Sequence, residues 1–235
     1  MNKHYVHASV FEMKDGEGNK YWLKIEQDAT PEDPRRWDNL CTMICWHRNY
    51  RLGDAHNYND AWDFLRDLCE ELCGMDYEEC EDITEKGLFK ILSNADNIVI
   101  KPVRLYDHSG ITVSTSNGYP YNDRWDSCCV GFIYVTKETI FKECGGITEE
   151  NWKERADKYI ECEMKTYDQY VRGEVYGYIL TKEIIVKEWC PHCGELLSVY
   201  EDEEEIDSCW GFYGDCLEEN GILDNISADL EFVED

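Results

Sequence analysis

The chain of 235 residues carries 51 acidic and 23 basic side chains, which gives a formal net charge of −28. Hydrophobic residues make up 43% of the chain and aromatic residues 13%, which excludes a disordered acidic protein and predicts a folded one with an acidic surface. This charge opposes direct binding to nucleic acid or to an anionic membrane, and it favours a basic protein, a basic peptide or metal cations. Solubility and adaptation to high salt are the alternative explanations.

The N-terminus and the cysteines indicate a cellular compartment. The first residues, MNKHYVHASVFEM, lack the apolar segment of a signal peptide, and no stretch approaches the roughly 18 apolar residues of a membrane span. Thirteen cysteines in such a chain indicate reduced thiols or metal ligands, and an odd number argues against a fully paired set of disulfides. We therefore expect a cytoplasmic protein.

The N-terminal part of the chain alternates polar and apolar residues, crosses a turn-rich segment and then becomes helical. Alternation on both sides of a glycine-rich turn predicts a β-hairpin. Apolar residues at helical spacing predict an amphipathic helix over Ala61–Cys73, which Asn59 caps and Gly74 ends. The other expected elements are strands at residues 4–12, Lys20–Gln27, Leu40–His47 and Asn97–Arg104, and a helix at about Thr84–Leu92.

The most apolar run of the chain, Cys128–Val135, predicts a central strand that is covered on both faces. A loop rich in glycine, proline, asparagine and aspartate, Ser116–Asp126, joins it to a preceding strand at Ile111–Thr115. The Asp-Ser-Cys step that opens the central strand recurs at Asp207-Ser208-Cys209. This repeat suggests that the two strands opened by these steps are neighbours in one sheet.

The C-terminal part predicts two more helices and a group of strands. Together with the preceding elements they predict a single acidic α+β domain over residues 1–235, with a mixed, mainly antiparallel sheet of roughly seven to nine strands and three or four packed helices. The elements expected here are helices at Thr136–Cys144, Thr148–Val171 and Asp215–Asn220, and strands at Glu174–Glu188, Leu196–Tyr200 and Ile206–Phe212.

A Cys-x-x-Cys turn, Cys190-Pro191-His192-Cys193-Gly194, is the best local motif, and we expect it in a knuckle insertion at about residues 187–206. Such a turn directs two thiolates at one Zn²⁺, whereas a closed structural site needs four ligands. Cys209 and Cys216 are the candidates for the other two. Free thiols in a tight turn are the alternative, and redox chemistry is disfavoured because the turn does not open a helix.

The tripeptide Asp107-His108-Ser109 resembles a catalytic triad in composition, but consecutive residues do not provide triad geometry. A turn stabilised by side-chain hydrogen bonds is the simpler interpretation. The enzymatic alternative is a hydrolase or nucleotide-processing activity, with or without a divalent metal, built from His108, Asp107, Asp126 and Asp207. The sequence contains no GxxxxGK[ST], GxGxxG, GxSxG or HExxH motif, and its local charge is negative almost everywhere, so no phosphate cradle is expected.

A set of short segments spread along nearly the whole chain combines aromatic, glycine and charged residues. The segments are Pro34–Leu40, Cys45–Asp54, Tyr106–Thr115, Trp125–Ser127, Val130–Tyr134, Tyr167–Tyr170, Gly173–Tyr178 and Asp207–Gly214. In these segments the chain resembles a family of acidic proteins carried by phages and mobile elements of clostridia and related bacteria. The resemblance implies a mobile-element setting in a bacterial host cell and brings no catalytic residue. The family usually has glycine where Cys128 stands and does not always carry the Cys-x-x-Cys turn, which argues against a central role for zinc.

Charge and resemblance together predict an acidic inhibitor that mimics nucleic acid and blocks a basic host defence protein, such as a CRISPR or restriction effector. Duplex DNA carries two phosphates per base pair, so a charge of −28 matches about 14 base pairs if the carboxylates share one face. A zinc-stabilised adaptor is a further alternative. The residues expected to bind the partner are Glu70, Glu71, Asp76, Glu78, Glu79, Glu81, Asp82, Glu149, Glu150, Glu154, Glu201, Asp202, Glu203, Glu204 and Glu205.

Overall fold

The computed structural model describes residues 9–115 and 127–233, and within them the chain forms nine strands and seven α-helices. The expected α+β class is confirmed. The strands are β1 Val10–Lys14, β2 Lys20–Gln27, β3 Thr42–Cys45, β4 Ile98–Asp107, β5 Ile111–Ser114, β6 Ser127–Thr136, β7 Val175–Trp189, β8 Leu196–Tyr213 and β9 Glu231–Phe232. The helices are α1 Ala61–Cys73, α2 Tyr77–Glu81, α3 Glu85–Asn94, α4 Lys137–Glu143, α5 Trp152–Val171, α6 Leu217–Asn220 and α7 Ile222–Asn225, and Pro34–Arg36 forms a 3-10 turn.

Side-chain caps decide where several helices begin. Thr84 and Thr136 cap α3 and α4 by accepting backbone N–H groups, as hydroxyls at this position commonly do. The cap of α1 is Asp60 rather than the expected Asn59, because the Asp60 carboxylate accepts the amide of Asp63 at 2.9 Å. Gly74 ends α1 in the left-handed conformation, as expected. No helix in the described part of the chain is long and apolar enough to cross a membrane.

Contacts within the chain divide it into two compact units, one made of residues 1–32 and 173–235 and the other of residues 33–172. The described part of the first unit contains a five-stranded antiparallel sheet in the order β8-β7-β2-β1-β9. Its core joins side chains of the central strands to the short C-terminal helices. The fully or nearly fully buried members include Leu23, Ile25, Tyr178, Leu217 and Ile222.

The second unit is built on a four-stranded antiparallel sheet in the order β3-β6-β4-β5. Alternate residues of β6 enter different cores, with Ile133 packing in the cluster that contains α5 and Phe132 in the cluster that contains α1 and α3. The prediction of a central strand covered on both faces is therefore confirmed. At Gly131 the neighbouring strand approaches so closely that a Cβ atom would lie 2.0 Å from the Ile44 carbonyl oxygen.

Three details differ from the expectations drawn from the sequence. The nine strands lie in two sheets instead of one, so β6, which begins at the first Asp-Ser-Cys step, and β8, which contains the second within its later half, are not neighbours. The acidic connection after α1 contains a further helix, α2, because Asp76 and Glu79 form a reciprocal capping box. Helix α5 begins at Trp152, since the residues after Thr148 form a turn first. The loop expected at Ser116–Asp126 lies outside the described residues.

Candidate functional site

The longest strands of the chain, β7 and β8, form a hairpin that extends beyond the rest of their sheet. Strand β2 pairs with β7 only from Tyr176 to Lys182. From Glu183 to Trp189, β7 pairs with β8 alone, and β8 is itself an edge strand. We call residues 183–203 the hairpin arm. Its seven residues of β7 give it a length of about 23 Å before the turn.

Large apolar side chains are exposed on the hairpin arm. Trp189 is 57% exposed, Leu197 64% and Ile185 57%, and Val199 and Tyr200 are exposed as well. An isolated two-stranded hairpin is at best marginally stable in water, and exposed apolar patches commonly mark binding sites. The arm therefore has the composition of a surface that another molecule covers.

An acidic run, Glu201–Glu205, lies on β8 at the base of the hairpin arm, and all five of its residues are exposed. The negative charge of Glu203 is paired, because its carboxylate forms an ion pair with Lys24. The carboxylate also accepts a hydrogen bond from the Thr181 hydroxyl. Within the part of the chain that the structure describes, the other four carboxylates form no ion pair. Charge on an edge strand discourages pairing with other strands, so part of this run also protects the sheet edge.

A second group of predicted partner-binding residues lies on α1, on α2 and beside them. Arg66 forms an ion pair with Glu70 at 3.4 Å, and it also pairs with Asp63 and Asp67. The Asp76 and Glu79 side chains are engaged in the capping box of α2. Four further members are exposed, form no ion pair with any described residue and take no part in the capping box: Glu71, Glu78, Glu81 and Asp82.

Predicted carboxylates at the start of α5 are largely paired with lysines. Glu149 contacts Lys137, and Glu154 contacts Lys158 at 2.6 Å, while Glu150 is exposed. Glu163, a carboxylate further along α5, is part of a buried network described below. Among the three predicted acidic groups, the run on β8 and the residues around α2 thus retain the most unpaired charge.

The four candidate zinc ligands lie at two ends of the β7–β8 hairpin. Cys190 and Cys193 occupy its turn, which closes with the Gly194 amide donating to the Cys190 carbonyl at 2.9 Å. Cys209 is opposite Tyr178, and Cys216 follows the end of β8, so about eleven residues of strand separate the two pairs. Hydrogen bonds from the backbone amides of Cys193 and His192 lower the pKa of the Cys190 thiol. The turn has the form of a two-ligand knuckle.

Asp107 and His108 lie at the turn between β4 and β5. The Asp107 carboxylate accepts the Tyr50 hydroxyl at 3.0 Å, and the His108 amide donates to the Gly110 carbonyl. Asp207 belongs to the other compact unit, where it accepts the Tyr178 hydroxyl at 2.5 Å. Asp126 lies outside the described residues. Of the three described members of the enzymatic alternative, two therefore share a unit and the third does not.

A buried ionic network in the second unit was not expected from the sequence. The Arg35 side chain is 2% exposed and binds both Asp54 oxygens, at 2.8 and 2.9 Å, as well as Glu163 at 2.8 Å. Glu163 also accepts the backbone amides of Leu40 and Cys41. The network fixes the loops on both sides of β3 against α5. Its partners are 19 and 128 positions from Arg35 in the sequence, and no local pattern reveals such a contact.

The fold and these surfaces define an acidic α+β protein with an exposed hairpin arm. No protein-family model, curated protein or solved structure matches the chain.

Proposed function

We propose that the chain is an acidic inhibitor from a phage or mobile element that blocks a basic, nucleic-acid-binding defence protein in the cytoplasm of a bacterial host. Its resemblance to acidic proteins of mobile elements and its net charge of −28 support this class of function. In this proposal the chain binds a protein and does not bind nucleic acid.

The observation that carries the proposal is the hairpin arm with its acidic base. The arm presents exposed apolar side chains, such as Trp189 and Leu197. At its base and directly after it, four exposed carboxylates form no ion pair with any described residue: Glu201, Asp202, Glu204 and Glu205. A groove that holds nucleic acid offers lysines and arginines for the carboxylates. Aromatic and aliphatic anchors beside charged groups are typical of protein interfaces.

Binding would proceed by charge mimicry at the base of the arm. Cationic side chains of the partner would gain from these carboxylates the counterion release that they gain from phosphates. Attraction between the oppositely charged surfaces would speed association and make it sensitive to salt. The apolar part of the arm would then slow dissociation by removing its exposed side chains from water.

The proposal is tested by capture from a defined protein fraction. Host proteins that bind DNA-cellulose are eluted, desalted to low salt and passed over the immobilised chain. We expect at least one of them to be retained, and to be released both by salt and by an excess of duplex DNA. Retention of no DNA-binding protein at low salt would contradict the proposal.

A zinc-stabilised adaptor is a second candidate function, favoured by the knuckle at the tip of the hairpin arm. Cys190 and Cys193 supply two ligands, and a structural zinc site is usually completed by four. Within the part of the chain that the structure describes, no group of three or more histidine, cysteine, aspartate or glutamate residues is arranged to hold a metal ion. In this candidate the missing ligands come from a second molecule, for which another copy of the chain is the simplest source.

Zinc titration distinguishes this candidate. If it is correct, adding about one zinc ion per two chains to the reduced, untagged protein produces a dimer in light scattering, since two knuckles complete four ligands. Cys190→Ser should abolish that dimer. Cys209→Ser, which alters a cysteine far from the turn, should leave it intact. A chain that stays monomeric with zinc would remove the adaptor from consideration.

A further inference from the structure

A cavity of about 800 Å³ lies in the compact unit of residues 33–172, beside the 3-10 turn and the loop that follows β3. Four of the nine arginines of the chain line it, together with two histidines, whereas only Asp33 and Asp54 among its lining residues are acidic. This local charge is the reverse of what the composition predicts. The arginines and histidines that line it are Arg35, Arg36, Arg48, Arg51, His47 and His56.

Three of these arginines remain available to a ligand. Arg35 and Asp54 bind each other in the buried network. Arg36, Arg48 and Arg51 are exposed, and within the described residues no carboxylate forms an ion pair with them. The guanidinium group presents N–H donors in a planar fork that matches phosphate oxygens. Three unpaired guanidinium groups at one cavity, in a chain with 51 acidic residues, indicate an anionic ligand.

Hydrogen bonds and ring contacts within the same unit hold the wall of the cavity in place. Gly53 has a φ of 72°, and its amide donates to the Tyr167 hydroxyl at 3.0 Å. The His47 ring accepts the amide of Tyr50 at 3.2 Å through Nδ1, so the proton of the neutral ring lies on Nε2. The rings of His47 and Tyr50 stack with centroids 4.9 Å apart. A positioned aromatic pair thus lies beside the arginines.

His56 is a further lining residue of the cavity. Its Nε2 lies 2.9 Å from the Cys45 carbonyl oxygen, and because a carbonyl only accepts, Nε2 carries a proton. Its Nδ1 is buried and has no hydrogen-bond partner among the described residues. A buried polar atom without a partner is costly, so a missing polar group is expected next to it. Because Nε2 carries the proton of the neutral ring, Nδ1 is an acceptor, and a hydroxyl or amine group would satisfy it.

We propose that this cavity binds a small molecule through a phosphate group, with Arg36, Arg48 and Arg51 around the phosphate oxygens. The volume is that of a pocket for a small organic molecule, which is larger than phosphate alone needs. The stacked His47 and Tyr50 rings offer an aromatic surface to the rest of the ligand. This site lies outside the hairpin arm and does not depend on the function proposed for it.

Calorimetric titration of the full chain with pyrophosphate and with ADP at low ionic strength tests the proposal. We expect both to bind with a dissociation constant of about 1 mM or lower. Arg48→Gln combined with Arg51→Gln should weaken binding about tenfold or more, since it removes two charged donors from the phosphate oxygens. Tighter binding of ADP would identify a nucleotide as the ligand, and equal binding would identify the phosphate group alone as the determinant.

The control is Arg155→Gln, which removes an exposed arginine of α5 that does not line the cavity. It should bind both probes like the unaltered chain. Thermal unfolding of every variant checks the fold. Replacing these exposed arginines is not expected to change the melting temperature. Absence of binding at millimolar concentrations would overturn the proposal. Equal losses in the control and in the double variant would also overturn it, since the effect would then be one of net charge.

Discussion

Replacing Arg35 by methionine should lower the free energy of unfolding by about 3–5 kcal/mol. The guanidinium is almost fully buried and makes the only ion pairs that Asp54 and Glu163 form within the described residues. Methionine fills much of the volume but leaves two carboxylates near the interior without a counter-charge. Because these carboxylates are still partly exposed and retain bonds to backbone amides, the lower half of that range is expected.

Urea unfolding followed by tryptophan fluorescence measures this effect. Arg155→Met is the matched control, because that arginine is exposed on α5, and it should change stability by no more than about 0.5 kcal/mol. Adding Glu163→Gln to the Arg35 variant should lower the free energy of unfolding by less than the same change in the unaltered chain, since the Arg35–Glu163 ion pair is already broken. A loss below about 1 kcal/mol for Arg35→Met would show that the network contributes little to stability.

Most helices and strands could be predicted because their signals are local. The apolar stripe identifies α1 and Gly74 marks its end, and the apolar run of β6 identifies a strand covered on both faces. The division into two sheets could not be predicted, because strand order depends on distant pairings. Ile25 on β2, for example, pairs with Tyr178 on β7. The alternation of apolar and polar residues predicts that a segment is a strand. It does not predict which strands pair with it in the sheet.

The candidate sites were predicted less completely. The acidic run Glu201–Glu205 interrupts apolar alternation, so the sequence predicts two short strands where the structure has one continuous strand, β8. Pairing with β7 continues through the run, whose five residues are all exposed. The arginine-lined cavity had a visible signal, since Arg35, Arg36, Arg48 and Arg51 are a dense basic group in an acidic chain. A net charge averaged over the chain conceals such a local reversal.

Neutralising the acidic base of the hairpin arm should produce the largest change in partner binding. The variant combines Glu201→Gln, Asp202→Asn, Glu204→Gln and Glu205→Gln, all at exposed positions that form no ion pair with a described residue. We assume that each carboxylate interacts with a partner cation as a DNA phosphate does. The slope of the logarithm of the binding constant against the logarithm of salt concentration should then be smaller in magnitude by about 3 in this variant. The affinity at low salt should fall by about 10- to 100-fold.

A matched control removes the same number of charges elsewhere. Glu26→Gln, Glu138→Gln, Asp224→Asn and Asp229→Asn alter exposed carboxylates outside the three predicted groups. This control changes the net charge equally but leaves the arm intact. Its affinity should fall by no more than about threefold, because screening limits the reach of distant surface charges.

The most direct measurement is therefore the dissociation constant of the captured DNA-binding protein for the unaltered chain, the arm variant and the control, each across a series of salt concentrations. We expect a large loss of affinity and a shallower salt dependence for the arm variant. The control should have a dissociation constant close to that of the unaltered chain. Equal behaviour of the two variants would contradict this expectation, because the acidic arm would then have no role beyond that of bulk negative charge.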